Sequence, residues 1–91
     1  MQTYQIVNIL HQYKVLGEQE ADGIWSFANI PGISIRVDSF EPLKSNIVSF
    51  FFEKEEIDIT VKLPFSMKEA EVKKKIRKVL SFIQSHAGGL L

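Results

Sequence analysis

The period of the apolar residues changes twice along this chain, and that change limits the fold more than any other feature. Ile6, Ile9, Leu10, Tyr13 and Leu16 recur at the spacing of one helix face. Further on the period drops to two: Ile33, Ile35 and Val37 alternate with Ser34, Arg36 and Asp38, and Ile57, Ile59, Val61 and Leu63 alternate with Asp58, Thr60 and Lys62. Val72, Ile76, Val79, Leu80 and Ile83 then restore a helical stripe. Side chains share a face every three to four residues in a helix and every two in a strand, so the order reads α-β-β-β-β-α.

Punctuation residues place the boundaries. The spacing predicts a first helix over 3–16, stopped by Gly17 at a left-handed C′ position. Glu18 to Gly23 is polar and ends in Asp-Gly, which reads as a turn. Strands follow at 24–29, 33–38, 47–52 and 57–63, the first two joined through Pro31-Gly32 in a type II turn and the last two through Glu53-Lys54-Glu55-Glu56. Between them, Phe40 to Asn46 carries Pro42 and reads as a crossing loop pinned by Phe40 and Leu43. Ser66 and Glu69 have the spacing of a capping box for a second helix that runs to about 85 and is ended by Gly88-Gly89. Consecutive strands without intervening helices predict an α+β domain spanning 1–91. Its expected core is an antiparallel four-stranded meander with two helices packed on one face.

Composition narrows the function classes. With 91 residues and no Cys the chain cannot use disulfides, and its two His lack partners at metal-ligand spacing, so no metal and no cofactor is expected. Domains this small often draw stability from association, which makes a homo-oligomer the expectation. The formal net charge is zero, which argues against bulk electrostatic binding to nucleic acid or to an anionic membrane. Neither a cleavable leader pattern nor an apolar run of spanning length occurs, so a cytoplasmic location without a membrane segment is expected.

The strand Ile47–Phe52 is apolar on both faces, because Val48, Phe50 and Phe52 oppose Ile47, Ser49 and Phe51. Whichever face the helices cover, an aromatic residue stays opposite. Phe51 with Ile47 is expected to form an apolar centre ringed by Arg36, Asp58 and Lys62, the arrangement of a small protein interface. The run Lys73-Lys74-Lys75-Ile76-Arg77-Lys78 offers a second reading, in which Lys74, Lys75 and Lys78 neutralise nucleic-acid phosphates. Glu69 and Glu71 each precede a Lys by four, which also fits an ordinary solvated helix. Gly-x-Ser-x-Gly, His-Glu-x-x-His and phosphate-loop patterns do not occur, and neither His11 nor His86 has an acid partner one helical turn away. The sequence therefore leads to the expectation of a non-enzymatic protein-interaction module: an adaptor, a chaperone-like subunit or an inhibitor of a cellular enzyme. Nucleic-acid binding through the last helix is the alternative.

Overall fold

The computed structural model describes the backbone of residues 1–90 and the side chains of residues 1–86. Helix α1 (Thr3–Gln12) buries Ile6, Ile9 and Leu10. The chain then forms β1 (Leu16–Ala21), β2 (Ile24–Phe27), β3 (Ile33–Phe40), a 3-10 turn at Glu41–Leu43, β4 (Ser45–Phe52) and β5 (Ile57–Pro64), and closes with α2 (Glu69–Leu90). All neighbouring strands pair antiparallel in the order β1-β2-β3-β4-β5.

The class is the expected α+β meander, with five strands where the sequence predicts four. The extra strand comes from an earlier helix end. Lys14 takes the left-handed conformation with φ 58°, while the N–H of Lys14 donates to His11 O at 3.0 Å and that of Val15 to Leu10 O at 3.4 Å. This is a Schellman stop with a lysine where glycine is usual. It releases Leu16 and Gly17 into β1. Only Leu16 of that strand is half-buried and the rest is exposed, so β1 has no apolar alternation to mark it. Gly17 lets β1 close on β2, since a Cβ there would lie 2.5 Å from Ser26 Oγ.

Other boundaries differ as well, and β2 ends at Phe27 rather than at Asn29. Phe40 and Leu43 are about half exposed and pin nothing; β3 and β4 extend toward each other and a left-handed Lys44 completes a tight turn. Ser66 lies in a turn closed by the Met67 N–H on Pro64 O, and α2 starts at Glu69, so Ser66 is not its N-cap. The bounds of α2 include Gly88-Gly89, so those glycines do not end it, and their side-chain surroundings lie outside the described residues.

One apolar cluster joins both helices to one sheet face. Trp25, Phe27, Ile33, Ile35, Val37, Val48, Phe50, Val61 and Leu63 from the strands meet Ile6, Ile9 and Leu10 of α1 and Val72, Ile76, Leu80 and Ile83 of α2. Phe27 and Phe50 pack as a tilted pair with ring centroids 6.3 Å apart, a favoured aromatic geometry. At the edge of this core Asn46 is 1% exposed. Its Nδ2 donates to Met1 O at 2.8 Å and its Oδ1 accepts from Thr3 Oγ1 at 2.9 Å. A buried amide is tolerated when it is paired in this way, and here it ties the start of α1 to β4.

Candidate functional site

With both helices on one side, the opposite sheet face carries the remaining strand side chains. Pairing register arranges them in rows. Ser34, Phe51 and Asp58 form one row; Ile24, Arg36, Ser49 and Thr60 the next; Asp38, Ile47 and Lys62 the third. Strict alternation along regular strands produces this pattern, because a residue shares its face with its cross-strand partner.

All five residues expected at the interface therefore lie on one face. Phe51 is 37% exposed, and Ile47, on the same face with Ser49 between them, is half-buried. Arg36, Asp58 and Lys62 are exposed around them, as is Asp38. Among the described residues none of these four charges makes an ion pair. Charged side chains left free at the rim of an apolar centre are available to steer and register a second surface. Ile24 is a half-buried member of the face that the sequence reading did not single out. Its signal is its position one residue before Trp25, on the other side of the alternation.

Lys74, Lys75 and Lys78 lie along the exposed side of α2. The ion pair among the described residues is Lys73–Glu69 at 3.7 Å, and Lys75 forms none with Glu71. Phe82, one turn beyond Lys78, is 50% exposed and stacks on His86 with centroids 4.1 Å apart. This aromatic neighbour of the basic run was missed in the sequence because Phe82 falls outside the buried stripe. His86 Nδ1 lies 3.1 Å from Phe82 O, a local helical contact. His11 is exposed on α1.

The described residues contain no group of three or more His, Cys, Asp or Glu side chains placed to hold a metal ion, and Glu53, Glu55, Glu56 and Asp58 do not converge. A depression of about 580 Å³ is an open cleft beside the start of α1 lined by residues that include Thr3, Tyr4, Ser39 and Phe65. Its polar lining includes the satisfied Asn46 pair. Among the described residues no helix is long and apolar enough to cross a membrane. No protein-family model matches the chain, no curated protein matches it, and no solved structure matches it.

Proposed function

We propose that this chain is a non-enzymatic protein-interaction module of the cytoplasm, acting as an adaptor, chaperone-like subunit or inhibitor, and that it binds its partner through the open sheet face. The observation that carries this reading is the placement of a partly exposed Phe51 on a sheet face that neither helix covers, with Ile47 on the same face two rows away across Ser49. A partly exposed aromatic residue with an aliphatic residue farther along the same strand supplies apolar contact, the kind from which most interface energy comes, and Arg36, Asp58 and Lys62 supply the polar rim. The test is affinity capture from cell extract with the native protein and with Phe51→Ser side by side. Loss of a specific captured protein by a variant that keeps its fold supports the reading. Equal capture by both proteins counts against it.

A second reading, nucleic-acid binding through α2, draws on the exposed Phe82 beside Lys74, Lys75 and Lys78. Bases stack on aromatic rings while lysines hold phosphates. Replacing the three lysines with Gln should then abolish a salt-sensitive mobility shift of single-stranded DNA or RNA. Absence of any shift by the native protein at low salt removes this reading.

A further inference from the structure

The two edges of the sheet are built differently. Strand β1 slips register between Leu16 and Gln19 and again between Gln19 and Ala21. It also carries Glu18 and Glu20. Bulges and like charges are the usual means of keeping an edge from pairing with another chain. Strand β5 has no bulge, its outward residues Asp58 and Lys62 carry opposite charges, and its one proline, Pro64, lies at its end. It pairs with β4 without a register break from Ile57↔Phe52 to Pro64↔Ser45, and from Ile57 to Leu63 its sequence alternates apolar and polar residues.

The hydrogen-bonding direction along β5 follows from the ladder. The Phe65 N–H donates to Lys44 O at 2.8 Å, and alternate residues of an antiparallel strand turn their backbone groups the same way. Leu63, Val61 and Ile59 therefore face β4, while Lys62, Thr60 and Asp58 direct their N–H and C=O groups to the open edge. The Glu53 N–H on Gly32 O at 2.9 Å agrees, since it turns Phe51, Ser49 and Ile47 toward β3 and leaves Phe50 and Val48 for β5.

We propose that β5 is the pairing edge for a second copy of this chain, joined antiparallel about a two-fold axis at Thr60 to make one continuous sheet. In that register Thr60 faces its own copy, and Asp58 of each chain lies opposite Lys62 of the other. Every outward N–H and C=O of Asp58, Thr60 and Lys62 gains a partner. On the helix side Ile59 meets Val61, and Ile57, which is 55% exposed, meets Leu63. The adjacent registers satisfy these criteria less well: an axis at Ile59 sets Asp58 opposite Thr60 and leaves Lys62 opposite a residue before β5, and an axis at Val61 sets Asp58 opposite Pro64, which has no N–H to give. The next registers are worse. Centring on Asp58 sets two carboxylates against each other, and centring on Lys62 sets two ammonium groups together and places Thr60 opposite Pro64, which has no N–H to give. Like charges directly opposite on a sheet destabilise the pair, and opposite charges stabilise it. The open face stays uncovered in this dimer; Asp58 and Lys62 border both surfaces, whereas Phe51 belongs only to the open face and the Thr60 backbone only to the edge, so substitutions at those two positions separate the readings.

Light scattering over a concentration series, extending to millimolar protein, tests the proposal. The native protein is expected to reach twice the chain mass of 10.4 kDa. Thr60→Pro removes an outward N–H without touching the β4 ladder and should leave a folded monomer, whereas Phe51→Ser should remain a dimer. Asp58→Lys and Lys62→Asp should each be monomeric alone. Mixed together they should form a heterodimer, and both changes in one chain should restore the homodimer, so the outcome does not depend on a proline being tolerated. A native protein that stays monomeric throughout overturns the proposal. So does a dimer that survives Thr60→Pro, or charge-reversed chains that fail to pair when mixed.

Discussion

Phe50 and Phe51 are adjacent in sequence and opposite in surroundings, so replacing each with alanine separates the covered face of the sheet from the open one. Phe50 is 1% exposed and packs on Phe27 with centroids 6.3 Å apart. Truncating it leaves a cavity under both helices, and such changes cost about 3–5 kcal/mol. Phe51 is already 37% exposed. Beyond the Cβ that alanine keeps, roughly 60 Å² of its ring area is still buried; at about 25 cal/mol per Å², and with no cavity formed on an open face, its loss comes to about 1–2 kcal/mol. Urea denaturation followed by circular dichroism and by Trp25 fluorescence gives both values, since Trp25 is the one tryptophan and is buried. With a slope near 1 kcal/mol per M for a domain this small, the two midpoints should differ by roughly 2 M. Equal losses, or a larger loss at Phe51, would refute the assignment of faces.

Two further substitutions probe how the chain reaches this sheet. Lys14→Gly should raise stability by about 0.5–1 kcal/mol, because it relieves a left-handed lysine at the end of α1; a drop in the thermal midpoint would show that the lysine side chain matters more than its backbone. Asn46→Ala should cost about 2–3 kcal/mol, since it removes the partners of Met1 O and Thr3 Oγ1 from a buried site, and Thr3→Ala should cost little in the Asn46→Ala background if the two act as one unit.

Much of the fold could be read from apolar period because three strands alternate cleanly against one buried face. The same alternation placed Phe51, Ile47, Arg36, Asp58 and Lys62 together, since face membership in a regular sheet depends only on residue parity and pairing. Strand β1 could not be read this way. It is held by backbone bonds at an exposed edge, and Glu18-Gln19-Glu20 looks like a loop to any test based on burial. The end of α1 was displaced because Gly17 is a better candidate for a left-handed position than Lys14, yet the chain turns at Lys14, where Leu10 and Val15 can both be buried. Ser66 and Glu69 have capping-box spacing, but Pro64 is still in β5 and the turn after it takes up Ser66. Ile24 and Phe82 went unnoticed for a related reason. Each is the apolar residue left off an otherwise consistent buried stripe, and its exposure becomes evident only when the opposite face is known to be covered.

The central claim is that the open face is free in the isolated protein and is covered by a protein partner. Ser49→Cys tests it most directly, because Ser49 lies in the middle of that face between Arg36 and Thr60 and the chain has no other thiol. The rate of alkylation is measured for the isolated variant and again with the captured partner present in excess. Ready alkylation alone and strong slowing with the partner is the expected result. A thiol already protected in the isolated protein, or one whose rate is unchanged when the partner is bound, would contradict the claim.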